Sequence, residues 1–207
     1  MNYESLIFDI DGTLWDSRAL VAKGYNRQLE AEGLTQFHID AEVLKTVFGK
    51  TIAEISNILF ASLPYEQRYP LLERCMEQES KILYEDECKI GYPKVKETLE
   101  ELAKKHRLFI VSNSQSGYPQ LCIEKMGLQG LITDHLCFGD TGTCKGETIK
   151  KIMADNNITS ACYVGDTQGD MEASDYAGIP FIYCTFGFGE PEHYWKKIDS
   201  FEQLLEL

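Results

Sequence analysis

The stretch Leu6-Ile7-Phe8-Asp9-Ile10-Asp11-Gly12-Thr13-Leu14-Trp15-Asp16 decides how this chain is read. An unbroken apolar run, read as a strand over residues 5–8, ends in two carboxylates two residues apart. With a strand period of 2, Asp9 and Asp11 start out on the same side of the chain, and Gly12 lets it turn sharply. A strand-to-loop junction at the carboxyl edge of a parallel sheet is where open α/β folds bind ligands. A calcium loop also begins Asp-x-Asp, but it needs Gly at its sixth position and Glu at its twelfth, where Leu14 and Leu20 stand.

Four further runs of the same kind follow: Leu108 to Val111, His135 to Phe138, Ala161 to Val164 and Phe181 to Cys184. Their lack of polar alternation marks strands covered on both faces. Helical patterns separate them: Pro93 to Lys105, Pro119 to Met126 stopping at Gly127, and Lys145 to Asp155. Such alternation predicts an α/β fold, a Rossmann-like parallel sheet with helices on both faces. Between Asp16 and about Ile90 the rhythm breaks. Four helical patterns fill the gap: Ser17 to Glu32, one following Asp40, one carrying Ile52, Ile55, Ile58 and Leu59, and one following Pro70. A single crossover needs one helix, so residues 17–90 read as an inserted α-helical cap domain, with core segments 1–16 and 91–207. The tail from Phe188 to Leu207 reads as a loop and a terminal helix.

Composition narrows the partners. Of 207 residues, 43% are apolar, with 10 Phe and 11 Tyr, enough for a real core. Twenty basic residues against 33 acidic ones give a net charge of −13 with no Lys/Arg-rich window, which excludes nucleic acid and a polybasic membrane surface. No apolar run approaches the roughly 20 residues of a membrane span, and the first residues show no signal peptide. Seven cysteines without a Cys-x-x-Cys pair suit reduced thiols, so a cytoplasmic location is expected.

Three more strand ends carry chemistry. In Tyr163-Val164-Gly165-Asp166-Thr167-Gln168-Gly169-Asp170, one acid follows a buried strand and a second lies one helical turn beyond. Oxygen-only ligands from Asp9, Asp166 and Asp170, with no nearby His or Cys, suit Mg²⁺ rather than Zn²⁺. Val111 is followed by Ser112-Asn113-Ser114-Gln115-Ser116-Gly117, hydroxyls and amides suited to phosphate oxygens. Lys145 opens a helix where its ammonium can face an anion. The Gly139-x-x-Gly142 ahead of it lacks the Gly a P-loop needs at Cys144.

In chain order, Asp9/Asp11, Ser112, Lys145 and Asp166/Asp170 resemble the four motifs of the haloacid-dehalogenase-like hydrolases, and the helical insertion after the first motif resembles the phosphoglycolate-phosphatase and β-phosphoglucomutase branch. The resemblance implies roles. Asp9 is similar to the nucleophile that becomes an aspartyl phosphate, and Asp11 to the general acid and base whose backbone carbonyl also ligates Mg²⁺. Thr13 would orient the Asp11 region. Ser112, Asn113 and Lys145 would grip the phosphoryl group, Asp166 would ligate the metal directly, and Asp170 would be the more variable second acid, direct or through water. Physics agrees with such a set. Each like-charge pair at about 5 Å costs roughly 3 kcal/mol at an effective dielectric near 20, so carboxylates and a phosphate need a cation to share a pocket.

The expected activity is a Mg²⁺-dependent phosphatase acting on a small phosphorylated metabolite, as a monomer. Asp11 disfavours dehalogenation, and no lysine of the insertion has the context of a phosphonate-cleaving Schiff base. A cap would exclude water and select substrate, with Lys50 in Phe48-Gly49-Lys50-Thr51 as a specificity candidate or simply a surface lysine. Two alternatives stay open on sequence alone: a phosphosugar mutase, which returns the phosphoryl group to a sugar hydroxyl, and a catalytically silent binding protein on the same scaffold.

Overall fold

The computed structural model describes residues 3–207 and divides them into two compact units. One comprises the described chain up to Asp16 together with Ile90–Leu207; the other is Ser17–Lys89.

The first unit is a six-stranded parallel sheet: β1 (Ser5–Phe8), β2 (Arg107–Ser112), β3 (Ile132–Cys137), β4 (Ala161–Gly165), β5 (Phe181–Cys184) and β6 (Lys196–Ile198). Their order across the sheet is β3-β2-β1-β4-β5-β6. Winding reverses beside β1, which pairs with β2 on one side and β4 on the other, placing a ligand crevice at the carboxyl ends of these three strands. Register sets what stands there. Phe8 lies level with Ile110 and Val164, so the chain leaves β1 at Asp9, β2 at Ser112 and β4 at Asp166 along one edge.

The period of 2 divides the strand residues between two cores. Ile7, Phe109, Val111, Tyr163 and Phe181 pack on one face with Ile149 and Ile152 of a helix Lys145–Asp155 and Met171 and Ala173 of a helix Gln168–Ala177. On the other face Phe8 meets Phe201 with ring centroids 5.9 Å apart. The sixth strand goes beyond the five that the apolar runs predict. Lys196 and Lys197 are exposed on the sheet edge and only Ile198 is buried, so three residues leave no apolar run to read. The chain then closes in a 3-10 helix, Phe201–Glu206, rather than an α-helix.

In chain order the helices are α1 (Arg18–Ala31), α2 (Ala41–Lys45), α3 (Ile52–Leu59) and α4 (Tyr65–Glu85) in the second unit, then α5 (Val95–Leu102), α6 (Tyr118–Met126), α7 (Phe138–Thr141), α8 (Lys145–Asp155) and α9 (Gln168–Ala177) in the first. Local chemistry sets their starts. The Asp40 carboxylate accepts from the Val43 N–H, and Thr51 and Glu54 form a reciprocal capping box ahead of α3. The fourth pattern starts earlier than expected, at Tyr65 after Pro64, and runs through Pro70. A proline in the second turn forfeits one backbone bond, and burial of Leu71, Leu72, Cys75 and Leu83 offsets that loss. All seven thiols are free, with Cys88 and Cys144 exposed and the others buried. Among the described residues, no helix is long and apolar enough to cross a membrane.

Within the second unit α1 and α4 pack backbone to backbone at Gly24. A Cβ there would lie 2.7 Å from the Glu79 Cα and 2.8 Å from its backbone N. Gly24→Ala gains about 1 kcal/mol of helix propensity but overpacks a backbone contact at a cost of about 1–3 kcal/mol. Net destabilisation is therefore expected as a lowered urea midpoint, and a midpoint raised by the substitution would show that the two helices can part freely.

Candidate active site

The crevice at the carboxyl edge of β1, β2 and β4 gathers charge rather than apolar surface. One oxygen from each of Asp9, Asp166 and Asp170 lies within 4.8 Å of the others, and all three side chains are buried. Asp9 follows β1 directly, and its N–H is tied to the Val164 carbonyl at 2.9 Å, so it keeps a strand-like position. Lys145, the first residue of α8, lies among these acids. Its Nζ donates to Asp9 Oδ1 at 2.8 Å and to Asp170 Oδ1 at 2.6 Å, and it stands 5.9 Å from the Tyr163 ring centroid. A lysine at a helix N-terminus faces the unfavourable end of the helix dipole, and the two carboxylates outweigh that.

Asp170 is spoken for on both oxygens. Oδ1 faces Lys145, while Oδ2 accepts from the Asp166 N–H (3.1 Å), the Thr167 N–H (2.9 Å) and the Thr167 hydroxyl (2.7 Å). Thr167 and Asp170 thereby form the capping box of α9. Asp166 is held differently. Its Oδ2 accepts from the Phe188 N–H at 2.6 Å and its Oδ1 from the Thr13 hydroxyl at 3.4 Å. Thr13 thus reaches Asp166 with its side chain, while its N–H bonds to the Ile10 carbonyl at 3.2 Å, beside Asp11. Two glycines wrap this carboxylate: a Cβ at Gly12 (φ +87°) or at Gly187 would overlap the Asp166 side chain.

Charge at the site does not balance. Burial pushes Asp9 up to about 7, and the Asp170 and Asp11 charges add to that against the pull of Lys145. Burial, followed by the Asp170 and Asp9 charges, raises Asp166 well above the ordinary carboxylate range. Burial acts to raise Asp170 too, but Lys145 and the Thr167 donors hold it below. Burial opposes the charge on Lys145, yet Asp170 and Asp9 hold the ammonium well above its usual range. One ammonium thus matches one carboxylate, and Asp9 and Asp166 are short of positive charge. An all-oxygen pair in that condition fits a hard divalent cation.

The remaining expected residues fall around this centre. Ser112, buried at the end of β2, accepts from the Ser114 N–H at 3.3 Å, and half-buried Asn113 follows it. Asp11 is half-buried and stands outside the three-acid cluster, its Oδ1 accepting from Trp15 Nε1 at 2.7 Å and from the Tyr118 hydroxyl at 2.9 Å. Lys50 belongs to the second unit, exposed in the turn before α3. Sequence reasoning does not single out Thr167, Phe188, Gly187 or Tyr118 for the site. Only the first has a local signal, since Thr167-x-x-Asp170 spells a capping box; the others arrive through tertiary contact.

Known proteins resemble this chain along most of its length. The family described as haloacid dehalogenase-like hydrolase matches residues 6–184. A phosphoglycolate phosphatase of Aquifex aeolicus (strain VF5) is 27% identical over 188 residues, spanning 88% of this chain and 85% of that protein. Another from Agrobacterium fabrum (strain C58 / ATCC 33970) is 28% identical over 199 residues, spanning 88% and 80%. The solved structure of a haloacid dehalogenase-like family hydrolase from Streptococcus pneumoniae has the same fold, with a TM-score of 0.82 at 20% identity over 99% of this chain and 97% of that one.

Between the ordinary carboxylate range and pH 7 the folded protein keeps a proton on Asp9 that the unfolded chain has released. Stability from this group therefore falls as pH rises through that window, and raised Asp166 acts in the same sense. Metal-free protein is expected to lose thermal stability from pH 5 to pH 8. Added Mg²⁺ should raise the Tm more at pH 8 than at pH 5, and Asp166→Asn should shrink that gain. A Tm indifferent to Mg²⁺ at both pH values would remove the charge imbalance as a determinant of metal binding.

Proposed function

Because this chain belongs to the haloacid dehalogenase-like hydrolases, we propose that it is a Mg²⁺-dependent phosphatase that hydrolyses small phosphomonoesters through an aspartyl phosphate on Asp9. The observation that carries the reading is the convergence of Asp9, Asp166 and Asp170 with Lys145 at the carboxyl edge of the sheet.

In this reading Asp9 and Asp166, with the Asp11 backbone carbonyl, hold Mg²⁺, and Asp170 fixes Lys145. The metal supplies positive charge that lets Asp9 stay ionised beside a phosphate dianion. The chain's own groups do the rest. Lys145, already against Asp9 Oδ1, and Ser112 and Asn113 on the neighbouring strand end bind the phosphoryl oxygens and align phosphorus with Asp9. A carboxylate oxygen of Asp9 bonds to phosphorus as the bond to the leaving oxygen breaks, and Asp11 gives that oxygen a proton. Asp11, now ionised, takes a proton from water. The resulting oxygen attacks phosphorus, the bond to Asp9 breaks, and inorganic phosphate leaves with Asp9 and Asp11 restored.

Curated relatives of this chain carry the name phosphoglycolate phosphatase, which supports hydrolysis over isomerisation and sets phosphoglycolate first among the small substrates to try. Lys50 is retained as a candidate for substrate selection.

Across a panel of phosphorylated metabolites, phosphate release is expected with Mg²⁺, abolished by EDTA and restored by added Mg²⁺. Asp9→Asn should lower kcat by about 10³-fold or more while leaving the circular dichroism spectrum unchanged. An Asp9→Asn protein as active as wild type would overturn the nucleophile assignment, and isomer formation from a hexose 1-phosphate without phosphate release would replace hydrolysis with a mutase reaction.

A further inference from the structure

Asp11 is gripped by two aromatic side chains. Trp15 Nε1 (2.7 Å) and the Tyr118 hydroxyl (2.9 Å) both donate to the same oxygen, Oδ1. The two rings meet edge to face, with centroids 5.6 Å apart and planes at 81°. Trp15 is fully buried and Tyr118 nearly so. A buried indole N–H or phenol O–H needs an acceptor. Asp11 meets that need for both, so each aromatic fixes the carboxylate as firmly as the carboxylate satisfies it.

Neither ring is loosely placed. The Trp15 carbonyl accepts from the Gly12 N–H at 2.9 Å, its own N–H reaches the Ile10 carbonyl at 3.2 Å, and its backbone forms an antiparallel bridge to Gly91. Tyr118 opens α6 directly after the segment that carries Ser112 and Asn113. The clamp therefore joins the loop that follows β1 to the helix that follows β2.

We propose that Trp15 and Tyr118 are positioning residues that hold the Asp11 carboxylate in the rotamer that delivers its proton to the leaving oxygen. The inference rests on the phosphatase reading above and deepens it. Its consequence depends on the leaving group. An aryl oxide departs without help from an acid, whereas an alkoxide does not. In kcat/KM, which reports the steps up to and including formation of the common aspartyl phosphate, loss of the clamp should weigh on alkyl phosphates and spare aryl ones.

Trp15→Phe and Tyr118→Phe each keep a ring and remove one donor. For glycerol phosphate, kcat/KM is expected to fall about 10-fold in each variant, while p-nitrophenyl phosphate changes less than about threefold; Asp11→Asn sets the limit at about 10²-fold or more on the alkyl ester. The two variants alter different elements, so Tyr118→Phe decides between the outcomes if Trp15→Phe fails to fold. Equal losses on both ester classes, or no loss on either, would overturn the positioning role. If Asp11→Asn keeps its steep leaving-group dependence in that case, the phosphatase reading survives alone. If Asp11→Asn shows no such dependence, the acid itself has been assigned wrongly, and the clamp falls with it.

Discussion

An excess of buried negative charge at one sheet edge governs this structure. Asp9, Asp166 and Asp170 converge within 4.8 Å, and a single ammonium, Lys145, bonds to two of them. At such separations uncompensated like charges repel by a few kcal/mol even at an effective dielectric near 20. Removing one partner of a buried charged network is costly, so the surrounding contacts are best understood as answers to this repulsion. Thr167 satisfies Asp170, the Phe188 N–H and Thr13 satisfy Asp166, and the Tyr163 ring lies near Lys145. Gly12 and Gly187 admit the Asp166 carboxylate because neither carries a side chain that would displace it.

The fold makes the convergence inexpensive. Three adjacent parallel strands end level with one another, so residues 9, 112 and 166 meet without long loops to order. The reversal of strand order beside β1 leaves a crevice there. Helices α8 and α9 begin at this edge and bring Lys145 and Asp170 to it on rigid elements. The nucleophile role proposed for Asp9 would need such rigidity, since phosphoryl transfer asks a protein mainly for alignment and charge stabilisation. The same frame explains how Asp9 and Asp11, two residues apart, differ in surroundings. Asp9 faces an ammonium in the buried cluster, whereas Asp11 turns to two neutral aromatic donors at the margin. Carboxylates in divergent environments are how acid and nucleophile roles separate within one site.

Much of this is legible in the sequence, for identifiable reasons. Buried parallel strands carry apolar runs, so β1, β4 and β5 are visible as Leu6-Ile7-Phe8, Cys162-Tyr163-Val164 and Phe181-Ile182-Tyr183, and each strand end can be scanned for chemistry. Helix starts at Asp40 and Lys145 are local events and can be read to the residue. What escapes has no local trace. β6 is an edge strand with two exposed lysines. The start of α4 is hidden because Pro70 looks like a helix opening when Pro64 serves instead. The Phe188 N–H reaches Asp166 across 22 positions and Tyr118 reaches Asp11 across 107, distances at which only the folded chain decides who meets whom.

The claim on which the chemistry turns is that Asp9 captures phosphorus covalently once a divalent cation relieves its neighbours. Acid quenching of a single turnover with a radiolabelled phosphomonoester and Mg²⁺, followed by borohydride reduction and peptide mass spectrometry, tests it directly. The expected result is protein-bound label in the quenched sample, with the reductant expelling the labelled phosphate and leaving homoserine at position 9. Label on another side chain, or turnover with no protein-bound phosphate at any quench time, would contradict it.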